Sequence, residues 1–295
     1  MAAIENTTTT QQMNSVTARA VDFVSRFTAN WDALREVLGI ARPIRKQPGT
    51  KLVSYAASIT LQDGAVAEGD LIPFSQANVA EVAHADLTVE KYAKAVTLEA
   101  VNKYGADVAI EKTDDAFLVE LQGNVMDRFY DKLEEGTLTN TATDFQMGVA
   151  LAVGSVVDKF KKMHKTSGQI VVFVNTMDAY KYLGAAQLTM QREQGLTYVK
   201  DFMGADRMVL SSEIAEGKVI ATASENLVLY YIDPSDSDFK KLGLNYVVQG
   251  ETNLIGFSAE GNYSRAQGES YALMGMSLWA EYVDAIAVVT VGGGS

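Results

Sequence analysis

Along the chain, Val24, Phe27, Trp31, Leu34 and Leu38 recur at steps of three and four, which places them on one face of a helix of about six turns running from Ser15 to Ile40. Such a face packs on the chain's own core or meets a neighbouring subunit. Upstream, residues 1–14 are rich in Thr, Gln and Asn and predict a loosely attached arm. Downstream, Pro43 and Pro48 break the helix and mark a linker. The segments KLVSYAASITLQ (51–62) and KYAKAVTLEAVN (91–102) are rich in strand-forming residues and predict two strands. Between them lies an acidic stretch with no clear period, long for a loop inside a compact domain, which suggests a projecting arm ordered by lying on something else.

After Gly105 a short strand is expected at VAIE, and then the period becomes helical. Phe117, Leu118, Leu121, Val125, Met126, Phe129 and Leu133 make one broad stripe, with Thr113, Asp114 and Asp115 as capping candidates and Gly136 as a stop. A second helix is predicted from Phe145 to Met163. From residue 170 the pattern is α/β: IVVFVN is a continuous apolar run of the kind buried on both faces, TMDAYKYLG is a short helix, and RMVLS, KVIATA and NLVLYYID are further strands. Residues 245–291 alternate strand-like segments with glycines, and the terminal GGGS reads as a flexible tail.

Composition narrows the function more than the fold. The chain has no cysteine, which removes disulfides, thiolate metal sites and cysteine nucleophiles. It has two histidines, His84 in the acidic stretch and His164 in KKMHK, and neither setting suggests a general base or a metal site. No phosphate-binding glycine loop is present. The pairs Asp114/Asp115 and Glu134/Glu135 bracket the strong helix and read as a cap and a solvated helix end. No catalytic residue and no cofactor is therefore expected. A net charge of -12 disfavours tight binding to a phosphate backbone, although a container can be acidic and still confine nucleic acid. No apolar run is long enough for a membrane helix, and the polar N-terminus lacks a signal pattern, so neither membrane insertion nor export is expected.

Charge is unevenly distributed. Residues 1–50 hold six basic and four acidic groups; residues 51–90 hold one basic and six acidic. Glu68 and Asp70 lie near the expected tip of the projection, and Arg42, Arg45 and Lys46 make the linker basic. These five are the candidate contact residues between copies, with the KFKKMHK helix end as a further basic partner.

The order of elements, together with AVTLEAVNKYGADVAIEKTDDAFLVELQGNVMDRFYDKLEEG, GQIVVFVNTMDAYKYL and MSLWAEYVDAIAVVTV, resembles the Hong Kong 97-type capsid fold of tailed bacteriophages. The last segment resembles capsid proteins of siphophages from Gram-positive hosts. The resemblance implies an α+β fold in five parts: an N-terminal arm with its helix (1–47), an extended loop (48–104), a peripheral domain with a long spine helix (105–140 and 236–291), an axial domain (141–235) and a tail (292–295). It implies a structural head protein that assembles as pentamers and hexamers into an icosahedral virion shell, in the host bacterial cytoplasm, around double-stranded DNA that it does not bind sequence-specifically. A separate scaffolding protein and a portal are the implied partners. The same fold also serves encapsulins, shell proteins of bacterial compartments, which remain the alternative.

Overall fold

A computed structural model describes residues 10–38, 43–67, 71–186, 191–193, 196–248 and 253–292. Helix α1 spans Thr10–Leu38, so the last five residues of the expected arm are its first turn; residues 1–9 of that arm and the tail from residue 293 lie outside the described residues. The predicted stripe is its buried face, with Val24, Phe27, Trp31 and Leu34 in the core of the same chain. Phe23 stacks on Phe257 at 4.3 Å between ring centroids. Of the two readings of this helix, packing on its own core is the one realised.

Four strands and a helix follow: β1 (Ile44–Arg45), β2 (Lys51–Thr60), β3 (Gln76–Asp86), β4 (Glu90–Thr97) and α2 (Leu98–Tyr104). Three expectations are corrected here. The acidic stretch is not structureless, because residues 76–86 pair antiparallel with β2 and make a long hairpin. The strand expected to residue 102 ends at Thr97, whose hydroxyl accepts the Ala100 N–H and starts a helix that closes at Gly105 with φ 84°. The segment VAIE (108–111), expected to form a strand, lies instead in a π-helical turn, Asp107–Glu111, that runs directly into α3 (Lys112–Glu134). Because that turn already supplies partners to the first N–H groups of α3, Asp114 and Asp115 do not cap it.

The remaining elements are β5 (Leu138–Ala142), α4 (Phe145–Lys162), β6 (Ile170–Asn175), α5 (Thr176–Ala186), β7 (Gln191–Glu193), β8 (Leu196–Phe202), β9 (Ala205–Ser211), β10 (Lys218–Ala223), β11 (Leu227–Tyr231), α6 (Ser237–Lys241), β12 (Ile255–Asn262), β13 (Gln267–Met274), β14 (Met276–Ala280) and β15 (Ala287–Val291). They form a seven-stranded mixed sheet, β5-β15-β10-β6-β9-β8-β7, and two three-stranded sheets, β1-β11-β14 and β12-β13-β4, beside the β2–β3 hairpin. Strand β6 shows why an unbroken apolar run is needed at the centre of the large sheet. Val171 and Phe173 enter the core with α1 and α3, while Ile170, Val172 and Val174 enter the core under α4. Phe173 meets Phe129 of α3 edge-on at 5.6 Å, so the sheet and the long helix share one aromatic contact.

Two boundaries implied by the resemblance do not follow the sheets. Strand β15, grouped there with the peripheral residues, completes the large sheet between β5 and β10. Strand β11, grouped with the axial residues, pairs instead with β1 and β14.

Some glycines are fixed by close approach. Gly136 lies after α3 where an added Cβ would sit 2.7 Å from Ile286 Cγ2. At Gly256 the same atom would sit 2.6 Å from the Pro234 Cβ and 2.7 Å from the Tyr246 Cβ, neither of which can swing away. We expect Gly256→Ala to lower stability by about 1–3 kcal/mol through overpacking, measurable by denaturant unfolding.

Candidate assembly surfaces

The hairpin is anchored at its root and bare at its tip. Leu52 and Leu87 are buried with Val228, Tyr230 and Ile232. The Gly49 N–H donates to the Leu87 carbonyl and the Leu87 N–H to the Thr50 carbonyl, each at 3.1 Å. From there β2 runs for 10 residues, a reach of roughly 33 Å at strand spacing, and among the described residues pairs only with β3. At the far end Leu71 and Phe74 are 95% and 98% exposed, and Ile59, Leu61 and Ile72 are exposed as well. The tip is nevertheless shaped: the Gln62 N–H donates to the Ser75 hydroxyl at 3.2 Å and the Ala65 N–H to the Asp63 carboxylate at 2.9 Å. Contiguous exposed apolar side chains on a folded element mark an interaction surface.

The candidate contact residues fare differently. Arg42, Glu68 and Asp70 lie outside the described residues. Arg45 is engaged within its own chain, 3.2 Å from Asp233 and 3.0 Å from Asp236. Lys46 sits 5.3 Å over the Tyr230 ring. At the KFKKMHK end, Lys159 reaches Asp284 at 2.7 Å and Lys165 lies 4.7 Å over Tyr282. Reading the projection by its charge missed its apolar tip, which the run Leu71-Ile72-Pro73-Phe74 between acidic groups carries in plain view.

A buried ionic cluster joins the parts beneath this surface. Asp114, 3% exposed, accepts from Arg19 at 2.5 and 2.8 Å and pairs with Lys94 at 2.6 Å, and Arg19 also donates to the Ser270 hydroxyl. Four elements (α1, β4, α3 and β13) therefore meet at one carboxylate. Burial works against the charge on Asp114, but the hydrogen bonds from Arg19 and Lys94 outweigh it and hold the pKa below its ordinary 3.8. Burial also pulls Lys94 below the usual lysine value. A second cluster lies at the hairpin's other shoulder, where Glu90 accepts from Arg128 and Tyr92; burial is again overcome and the Glu90 pKa is lowered. These charges brace the fold; Arg19 also lines a cleft of about 390 Å³ with Val96 and Tyr263, and Glu90 and Arg128 line one of about 480 Å³ with Asp86, Asp131 and Lys132. Glu134, expected to be a solvated helix end, pairs with Lys218 at 2.8 Å. His164 takes φ 54° at the end of α4, where its N–H donates to the Lys161 carbonyl, and His84 falls on β3. Among the described residues no group of three or more metal-ligating side chains converges, and no helix is long and apolar enough to cross a membrane.

No family model matches the sequence, and no curated protein matches it significantly. Solved structures do match. The asymmetric unit of the bacteriophage PhiM1 mature capsid is similar with a TM-score of 0.54 at 7% identity, covering 87% of this chain and 87% of that one. A structure from Mycobacterium phage Patience gives 0.52 at 10% identity over 97% of this chain and 91% of the other. The virus-like particle from Pyrococcus furiosus gives 0.50 at 12% identity, over 92% and 99%. The chain has a Hong Kong 97-like capsid fold.

Proposed function

We propose that this chain is the major capsid protein of a tailed bacteriophage, a shell subunit that assembles through pentamers and hexamers around double-stranded DNA. The observation that carries the reading is the hairpin: an ordered, roughly 33 Å projection ending in bare Leu71 and Phe74 gains nothing in an isolated molecule and everything against a neighbour. Its likeness in fold to capsid subunits supports the same conclusion. Residues 48–104 serve as the extended loop, 105–140 and 236–291 as the peripheral domain and 141–235 as the axial domain, with β15 transferred to the axial layer and β11 to the peripheral one by their pairing. A separate scaffold and a portal complete assembly in the host cytoplasm, and the host type rests on the closing segment 276–291 alone. Glu68 and Asp70 are proposed to face basic groups of a neighbour. Arg45 and Lys46 are engaged within their own chain; the candidates on the neighbour are the Arg42/Arg45/Lys46 linker and the KFKKMHK helix end.

Electron microscopy of the purified chain tests the assignment. Closed shells, or rings of five or six, are expected, and particles from infected cells should contain DNA. A chain that stays monomeric at high concentration with its scaffold overturns it, and particles filled with an enzyme in place of DNA favour the encapsulin alternative.

The extended loop offers no lysine between Lys51 and Lys91, so the amine needed for a loop-mediated amide crosslink is absent from its tip. Mature particles boiled in detergent should run as one band near 31.9 kDa; a ladder of multimers would place the reactive lysine elsewhere.

A further inference from the structure

Asp63 is the only aspartate or asparagine followed by glycine anywhere in the sequence. It stands between β2 and β3 in a stretch, residues 61–67, that has no helix or strand and is exposed at every position. An Asp-Gly pair is chemically distinct because the glycine's amide nitrogen can attack the carboxyl carbon of the aspartate. Helices and strands prevent that attack by fixing the dihedrals and engaging the N–H in their ladders. Neither restraint acts here. Gly64 brings no Cβ to shield its nitrogen, and an added Cβ would meet nothing within 4 Å. The Asp63 side chain is already folded back along the chain: its carboxylate accepts the Ala65 N–H at 2.9 Å and so lies beside the intervening Gly64 amide. By contrast, Asp236 ahead of Ser237 caps α6 and pairs with Arg45, and Asn175 ahead of Thr176 is buried with its side-chain amide on the Ile214 carbonyl.

We propose that Asp63 is a site of spontaneous covalent modification in the folded chain, isomerising through a succinimide to isoaspartate. The Gly64 nitrogen bonds to the Asp63 Cγ, and the amide proton and the carboxyl hydroxyl leave as water. Water then reopens the ring. Addition at Cγ restores aspartate. Addition at the main-chain carbonyl carbon of Asp63 leaves the chain routed through Cβ and Cγ, with the former main-chain carbonyl as a new α-carboxylate. One water leaves and one returns, so the mass is unchanged, and no oxidant, enzyme or cofactor is consumed. The product carries one extra methylene in the backbone between the two strands of the hairpin. Asp63 therefore records the age of the chain. The inference goes beyond the shell reading and holds for the isolated chain.

The folded full chain, incubated near neutral pH and sampled over weeks, provides the test. Isoaspartate is counted by methyl transfer from labelled S-adenosylmethionine with an isoaspartyl methyltransferase, and located by electron-transfer fragmentation in a mass spectrometer. The signal is expected to rise steadily and to map to Asp63. No isoaspartate at Asp63, or an equal yield at other aspartates, overturns the inference. Gly64→Val fits the open space at this position, so its melting temperature should match the parent's. Its rate of isoaspartate formation should fall roughly tenfold, because a branched side chain crowds the attacking nitrogen and narrows the reach of the backbone. An unchanged rate in that variant also overturns the proposal. Incubating the parent in urea should leave the Asp63 rate nearly unchanged, since the native turn already permits the reaction; a large rise on unfolding would show that the folded hairpin protects this bond.

Discussion

Replacing Asp114 by alanine should destabilise the isolated chain by about 3–5 kcal/mol, the cost of leaving buried partners without their counter-charge. Arg19 and Lys94 both lose their counter-charge; Arg19 keeps the Ser270 hydroxyl and its place over the Phe257 ring, and Lys94 keeps the Thr113 hydroxyl and the Ile110 carbonyl. Because four elements converge there, the loss should appear as earlier cooperative unfolding in urea and not as local fraying of α1. The pH dependence has a definite sign. The folded-state pKa of Asp114 lies below its ordinary 3.8, so its stabilisation is complete above that value and fades as pH falls through the folded value. The alanine variant should therefore lose less stability than the parent between pH 4 and pH 2. An equal acid loss in both proteins would show that other carboxylates dominate acid unfolding and that the cluster matters only for packing.

The second large effect is expected at the hairpin tip and in a different observable. The double variant Leu71→Ser, Phe74→Ser should keep the parent's melting temperature, because both side chains are almost fully exposed and touch little of their own molecule. Assembly should nevertheless fail. Burying each side chain against a neighbour would contribute roughly 1.5–3 kcal/mol, repeated at every subunit of the shell. Light scattering should stay flat at concentrations where the parent forms particles. A variant that assembles normally would show that the tip remains in solvent in the finished shell.

What could be read from the sequence depended on whether one residue's neighbours along the chain also decide its surroundings. The stripes of α1, α3 and α4 are periodic and buried as expected, since burying one face of a helix leaves a repeat of three to four wherever the helix docks. Strand β6 was equally plain, because a strand covered on both faces needs apolar residues at every position. Strand β3 was hidden: QANVAEVAHAD belongs to a hairpin with no core beneath its outer half, so no burial pattern is imposed on it. LEAVN carries the apolar and branched residues of a strand, and only the Thr97 cap and Gly105 stop turn it into α2. Asp114 sits where a cap would sit, yet the π-helical turn begins the helix earlier, and its partners Arg19 and Lys94 lie far off in the chain. The cleft lined by Arg19, Val96 and Tyr263 needed the register of three strands, which no local pattern contains.

The slenderness of the hairpin has a consequence for how errors are handled. A contact made by a few side chains at the end of a thin projection is weak taken singly, and its dissociation is correspondingly fast. A copy that lands in the wrong orientation satisfies one such contact and leaves again; a copy that lands correctly satisfies several together and is retained. Growth through marginal, reversible steps lets a closing lattice anneal, whereas a broad adhesive face would trap the first mistake.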